Sequence, residues 1–584
     1  MFIPTTRNEI ETLGWQALDI ILVTGDSYID SPFIGVSMIG KILLNAGFRV
    51  GIIAQPDLSS EKDIKRLGEP ELFWGVTGGC VDSMIANRTA SGKKRKTDDY
   101  TPGGENTRRP DRAVIVYTNL IRQYFKNTVP VVLGGIEACL RRVAHYDFWS
   151  NGIRKSILFD AKATYLLYGM ADRSILELAT ALKEKTDPRS IRGLCYIDKE
   201  KPEEALRLPS FDEVMADKLA FTEMFHLFYQ NNDPLTARTL YQQQDARYLV
   251  QNPPARYLAT EELDQVYGLD FERDLHPYYK RSGDVRALDT IRFSITTHRG
   301  CYGECNFCAI STHQGRTVRW RSEKSIIKEA EAMVSHPLFK GTILDAGGPT
   351  ANMYGIECTL KTKKGSCKDK RCLFPNVCPS LSVNHKKQID LLNKLHRIPG
   401  VKHVFVASGI RYDMILSDKK FGAAYLEALL SRHVSGQMKI APEHTEEHVL
   451  NLMGKPSSDS LIEFKNVFDR LSKKTERKQF LTYYMIAAYP GCREKDMANL
   501  KSFATRHLKI IPRQIQTFTP SPSTYATLMY YTGKDPFSGK PLFVEKTFSG
   551  REKQKSIVLE SLKKDPPRPY IRKPGPIWTK RGKK

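Results

Sequence analysis

Short apolar runs alternate with amphipathic stretches through the N-terminal third of the chain. ALDIILVTG (17–25) predicts a strand, and VSMIGKILLNAG (36–47) predicts a helix that Gly47 ends. FRVGIIAQ, LFWGVTGG, VPVVLGG (129–135) and TYLLYG (164–169) predict further strands. Strands parted by helices of this length give a parallel sheet covered on both faces, a doubly wound α/β domain over residues 15–200. Ligands of such sheets lie beyond the carboxyl ends of the strands, here marked by Gly25-Asp26, Gly78-Gly79 and Gly134-Gly135. The polar, basic stretch 87–110 reads as an exposed insertion.

Residues 201–290, with the Pro-containing QNPPARYL, read as a mixed connector. A second series of strands starts at 291: IRFSITTH, GTILDAGG, KHVFVASG, GQMKIAP, FLTYYMIAAYPG and RQIQTFTPSP. Helical patterns around 324–335, 385–397, 421–431, 459–473 and 495–507 lie between them. This is short of the eight units of a closed barrel, so the expectation is a partial (β/α)6 barrel over 291–520, with a Cys-rich insertion at 355–380. Residues 521–584 form a C-terminal extension in which regular alternation ceases.

Composition adds limits. Hydrophobic content of 41% supports real cores, and charged content of 26% suits a soluble protein. No stretch reaches 18 uninterrupted apolar residues, and the N-terminus lacks a signal-peptide core, so a cytoplasmic location with no membrane contact is expected. The net charge is +24. Much of it sits in SGKKRKTDD (91–99) and in the Pro-rich run 563–584, which reads as a largely disordered tail. Such a tail suits a polyanionic partner such as RNA, or simply solubility.

Seven of the eleven cysteines fall between Cys301 and Cys378. In a reducing compartment that concentration marks a cofactor region rather than a disulfide framework. Cys301, Cys305 and Cys308 follow the first barrel strand with the spacing C-x3-C-x2-C, at the mouth where barrel chemistry assembles. An iron–sulfur cube takes four thiolate ligands. Three leave one iron open as a working position, as a catalytic zinc keeps a free site. A zinc completed by His298 or His313 is the competing reading.

The loop HRGCYGECNFCAI (298–310) resembles that of the radical SAM enzymes. Longer matches, GDSYID with PFIG (25–35), VLGGIEACLRRVAHYDFW (132–149), GGPTANMY (347–354) and VFVASGIRYD (404–413), resemble the YgiQ family of radical SAM proteins over most of 15–530. The resemblance implies a [4Fe-4S] cluster on Cys301, Cys305 and Cys308 whose open iron chelates S-adenosylmethionine. Reductive cleavage then gives a 5′-deoxyadenosyl radical, with electrons from a flavodoxin- or ferredoxin-type donor. It also implies cosubstrate contacts at Phe307, at Gly347 and Gly348, at Ser408 and Arg411, at Glu443 and at Ile486. Pro349 stands where the family's glycine pair is followed by an acid.

Cys358, Cys367, Cys372 and Cys378 lie in the Lys-rich insertion and suit an auxiliary iron–sulfur cluster or a structural zinc. The N-terminal domain resembles the cobalamin-binding-like domain that precedes many radical SAM barrels. Its loop DSPFIG keeps Asp30 and Gly35 but has Pro32 and no cobalt-ligating His, so a domain that merely lines the substrate cleft is favoured over one that binds cobalamin. His145 and Asp147 read as exposed and structural. Three functions therefore compete: a radical SAM enzyme with unidentified substrate, an RNA-binding or assembly protein with structural metal sites, and a cobalamin-dependent methyltransferase.

Overall fold

The structure is a computed structural model, and it describes residues 1–475 and 477–559. The basic tail at 563–584, with the disorder and RNA contact expected of it, lies outside the described residues. No helix among the described residues is long and apolar enough to cross a membrane.

The N-terminal sheet contains β1 (Ile20–Thr24), β2 (Val50–Ala54), β3 (Phe73–Thr77), β4 (Val131–Gly134), β5 (Tyr165–Leu167), β6 (Leu194–Asp198), β7 (Leu206–Leu208), β8 (Leu240–Gln244) and β9 (Arg247–Gln251). Their order is β7-β8-β9-β6-β5-β4-β3-β1-β2. The run β2-β1-β3-β4-β5 is parallel throughout. Every residue of β1 and β2 is buried, as a strand covered on both faces requires. Alternate side chains go to opposite faces. Ile20 and Leu22 enter the core shared with Met38, Ile42 and Leu178 of the helices Gly35–Asn45 and Asp172–Glu184. Ile21 and Val23 enter the one shared with Tyr117 and Ile121 of the helix Ala113–Tyr124. This is the doubly wound sheet read from the sequence.

Two local expectations fail. The stretch 201–290 is not merely a connector: β7, β8 and β9 extend the sheet, β9 pairing antiparallel with β6. Nor is 87–110 simply an exposed insertion. Lys93, Lys94, Arg95 and Lys96 face solvent, but Asp98, Thr101, Asn106 and Arg109 are buried over the carboxyl edge of the sheet. Hydropathy misses this because the buried groups are polar and pair with one another.

The second series gives β10 (Ser294–Thr296), β11 (Thr342–Ile343), β12 (Asp345–Gly347), β13 (His403–Val404), β14 (Gln437–Glu443), β15 (Phe480–Ala487) and β16 (Gln514–Thr517). β11 and β12 are one strand interrupted at Leu344. All pairings are parallel and follow chain order: β10 with β12, β11 with β13, and β14 with β15 with β16. The Ile410 amide donates to the Lys439 carbonyl at 3.0 Å, joining the segment after β13 to β14. The result is the open six-stranded barrel. Its interior residues Ile295, Ile343, Val404, Ile440 and Met485 belong to the same apolar core as Ile21 and Val23 of the sheet. The extension beyond 520 is folded as far as it is described. Its helix Tyr525–Thr532 packs on the helix Lys218–Gln230, and its helix Phe548–Leu559 packs on the helix Glu494–Phe503.

Candidate functional site

Cys301, Cys305 and Cys308 stand on the loop that follows β10 and the short strand His298–Arg299. Backbone bonds fix the loop. Cys301 N donates to Gly315 O at 3.3 Å, Cys308 N to Cys305 O at 2.9 Å, Asn306 N to Met453 O at 2.9 Å, and Ala526 N to Asn306 O at 2.8 Å. The Cys301 and Cys305 thiols converge on Gly303. A Cβ there would stand 3.3 Å from Cys301 Sγ, 3.6 Å from Cys305 Sγ and 3.3 Å from Arg411 Nη1, so only glycine leaves this cradle open. Burial pushes the Cys301 thiol up. Burial, and then the neighbouring Cys305 and Cys301, push Cys308 to about 12. A cationic centre among them would favour the thiolate form of all three. That is a donor set for iron.

Arg411 is buried. Its Nη1 donates to Cys305 Sγ at 3.5 Å, while Nε donates to Asp413 Oδ1 at 2.9 Å. Behind it, Asn352 Oδ1 accepts from Arg411 N at 2.9 Å, and Asn352 Nδ2 donates to Arg411 O at 2.9 Å. These bonds fix the orientation of the amide, so Nδ2 also donates to His385 Nε2 at 3.2 Å. The His385 proton is therefore on Nδ1, which donates to Asp418 Oδ2 at 2.8 Å. The chain Asp418–His385–Asn352–Arg411 holds a guanidinium against the Cys305 thiol.

The other expected residues separate into two groups. Gly347, Gly348 and Ser408 line a cavity of about 560 Å³ between the sheet's carboxyl edge and the barrel mouth. Gly348 approaches the preceding strand closely: a Cβ would meet His298 Nε2 at 2.6 Å and His298 O at 2.7 Å. The Ser408 hydroxyl donates to Asp345 Oδ2, and the Ala407 amide donates to Asp345 Oδ1 at 2.8 Å. Phe307, Arg411, Glu443 and Ile486 do not line this cavity. Phe307 meets Tyr489 edge-on at 6.3 Å between ring centroids. Glu443 ends β14 past a register shift, with φ of +71°, and its buried carboxyl is pushed up to about 7, Lys455 lying 3.9 Å away. Ile486 is half-buried on β15 opposite Gln516.

The cavity's polar groups are largely paired within the protein. Arg109 Nη1 donates to Asp26 Oδ1 at 2.7 Å and Nη2 to Asp98 Oδ2 at 2.9 Å, filling the crevice between β1 and β3 where the strand order reverses. Arg299 Nη1 donates to Asp172 Oδ2 at 2.7 Å. His145 and Asp147 are buried, not exposed: Asp147 accepts from Arg112 Nη2 at 2.7 Å, and His145 is held far below its usual range by burial and by Arg141. Sequence reasoning missed Asp345 and Asp413. The acid two residues before the glycine pair, in LDAGG, was the one available signal for Asp345.

Of the four insertion cysteines, Cys358, Cys372 and Cys378 pack in one apolar cluster with Tyr302, while Cys367 is exposed.

An open parallel barrel carrying three converging thiols at its mouth defines a radical SAM protein, and the comparisons agree. The Radical SAM N-terminal family matches residues 2–294. A UPF0313 protein of Fusobacterium nucleatum is 56% identical over 96% of this chain and 99% of its own length. A UPF0313 protein of Thermotoga neapolitana is 50% identical over 96% and 98%. The chain belongs to the UPF0313 family, and it is a radical SAM enzyme that uses a [4Fe-4S] cluster and S-adenosylmethionine. Among solved structures, the radical S-adenosylmethionine methyltransferase TsrM of Kitasatospora setae, with cobalamin and a [4Fe-4S] cluster bound, aligns with a TM-score of 0.49. The identity is 15%, over 88% of this chain and 75% of that one.

Proposed function

We propose that Cys301, Cys305 and Cys308 hold the [4Fe-4S] cluster, and that the 560 Å³ cavity receives the substrate part from which hydrogen is abstracted. The observation that carries this is the cradle at Gly303, where two of the thiols and the Arg411 guanidinium face one open position. When bound and reduced, the cluster supplies one electron that cleaves the carbon–sulfur bond of S-adenosylmethionine to give the 5′-deoxyadenosyl radical.

The chain's own residues bind and orient. Arg411 offsets the negative charge of the thiolate set and keeps Cys305 in place. Backbone groups of Gly347 and Gly348, with Ser408, hold the methionine end of the cosubstrate. Asp345 supplies the carboxylate that Pro349 leaves out of the glycine motif, poised for the ammonium group. Phe307 and Ile486 border the adenine, and Glu443 the ribose. Apolar walls from Ile34, Met38, Val132, Leu167, Ile295 and Ile310 exclude water from the cavity. They favour a largely apolar substrate portion, since the nearby Asp26 and Arg299 charges are already paired. Electrons come from an external donor, of the flavodoxin or ferredoxin type.

The test is anaerobic incubation of the reconstituted protein with dithionite and S-adenosylmethionine. 5′-Deoxyadenosine forms with wild type and not with Cys305→Ala; equal behaviour of the two sinks the assignment.

A second reading, cobalamin-dependent methyl transfer, is favoured by the cavity's place between the sheet's carboxyl edge and the barrel. The histidines on its wall, His298 and His313, come from the barrel, and no lower-ligand His occurs on the loop after β1. It predicts a corrinoid that co-purifies from supplemented medium, and its absence there counts against it.

A further inference from the structure

The Cys-rich insertion after β12 is closed at its base. Glu357 and Ser382 form an antiparallel bridge, and the Ser382 amide donates to the Glu357 carbonyl at 3.3 Å. That pairing sets Cys358 beside the returning chain. The Cys378 amide donates to the Cys372 carbonyl at 2.8 Å, which folds those two cysteines back on each other. All three belong to one apolar cluster with Tyr302, which is fully buried. Tyr302 belongs to the first cysteine loop, between Cys301 and Gly303. Cys367 stays outside, because Ser366 is tied through its amide and hydroxyl to Asp233 Oδ2 at 3.0 and 2.8 Å.

Charge inside this knot does not balance on carboxylates. The helix Thr359–Lys364 carries Lys361 inward, leaving its side chain 2% exposed. Its Nζ lies 3.4 Å from Glu304 Oε1 and donates to Cys372 Sγ at 3.5 Å. The other oxygen of Glu304 faces Arg316 Nη1 at 3.5 Å and the Tyr229 hydroxyl at 3.4 Å. One carboxylate thus serves two buried cations, and Asp233 is turned to Ser366 and the Leu235 amide. A buried ammonium needs a full counter-charge. Cys372 Sγ stands within reach of it, and a metal-bound thiolate there would carry the missing charge.

The sulfurs are not drawn together as a single ion would hold them. A single zinc with bonds of about 2.3 Å draws its thiolates to within roughly 3.8 Å of one another. Among the described residues, the only group of three or more ligand atoms mutually within 4.8 Å is that of Glu446, His448 and Asp496, so no three of these cysteines make a single-ion cage. A multi-iron cluster holds its thiolates farther apart.

We infer that Cys358, Cys372 and Cys378 bind a second iron–sulfur cluster, counter-charged by Lys361 and joined to the first cysteine loop through Tyr302 and Glu304. The site is separate from that proposed for Cys301, Cys305 and Cys308, and the experiment keeps them apart. The full chain is reconstituted anaerobically with iron and sulfide as wild type, as Cys301→Ala/Cys305→Ala/Cys308→Ala and as Cys358→Ala/Cys372→Ala/Cys378→Ala. Wild type holds about eight irons with matching sulfide, and each triple variant about four. The first variant keeps a reducible iron–sulfur spectrum without cleaving S-adenosylmethionine. A first variant devoid of iron, or carrying zinc instead, overturns the inference. A first variant that keeps its iron beside a wild type that makes no 5′-deoxyadenosine overturns only the earlier proposal. In the first variant's background, Lys361→Met makes the remaining cluster's potential more negative and Lys361→Arg restores it. An unchanged potential removes Lys361 from the site.

Discussion

The two cysteine loops of this protein, each proposed to hold an iron–sulfur cluster, are built in opposite ways. The first, 301–308, is short and is fixed by backbone bonds to three other segments, so backbone geometry places its thiols. The second spans 358–378 and is organised around a residue of the first, Tyr302, and around a lysine that leans on Glu304. One loop is a preformed cradle and the other is a dependent annex. A donor set built on backbone geometry can be read from spacing, whereas one built on a neighbour's side chains cannot.

The sharpest break between the loops is Cys305→Ala against Cys372→Ala. The first change abolishes 5′-deoxyadenosine formation, measured by chromatography, while the second leaves it in place and lowers iron content. Next in size is Arg411→Met, which strands Asp413 as a buried, unpaired carboxylate. We expect a loss of about 3–5 kcal/mol in denaturant unfolding, against a far smaller loss for the exposed Lys363→Met on the second loop. Gly348→Ala forces a methyl group against the His298 backbone and ring. It costs about 1–3 kcal/mol and weakens S-adenosylmethionine binding in calorimetry, while iron content stays at the wild-type level.

The smallest effect concerns pH. The Asp418 carboxyl is held down at about 2 against the pull of burial by hydrogen bonds from His385 and the Phe421 amide. A depressed carboxyl contributes stability that is present above its unfolded value near 3.8 and is lost as pH falls through about 2. Solvent screening limits it to about 1 kcal/mol. Asp418→Asn should flatten that limb of the Tm profile between pH 4 and 2; an unaltered limb removes Asp418 from the support of Arg411.

Much of the fold was legible because parallel strands buried on both faces write themselves as apolar runs, as in IILVT and VGIIA. The nearness of Cys301, Cys305 and Cys308 follows from their spacing on one short loop. The polar knots were not. Arg109 meets Asp26 across 83 positions of sequence, and Ser408 meets Asp345 across 63, so neither pair leaves a local pattern. β8 and β9 were missed because LYQQQ and RYLVQ carry glutamines on buried faces, where Gln242 and Gln244 satisfy the Ala144 and Ser156 amides. Spacing grouped four cysteines in the insertion, and it could not show that Ser366, bonded to Asp233, leaves its neighbour Cys367 exposed.

The central claim is that three thiols, and not four, present an iron site open to S-adenosylmethionine. Electron–nuclear double resonance of the reduced protein with S-adenosylmethionine labelled at its amino nitrogen tests it most directly. Nitrogen coupling to the cluster is predicted in wild type and in Cys358→Ala/Cys372→Ala/Cys378→Ala. No coupling in either protein, with the cluster fully assembled, would contradict it.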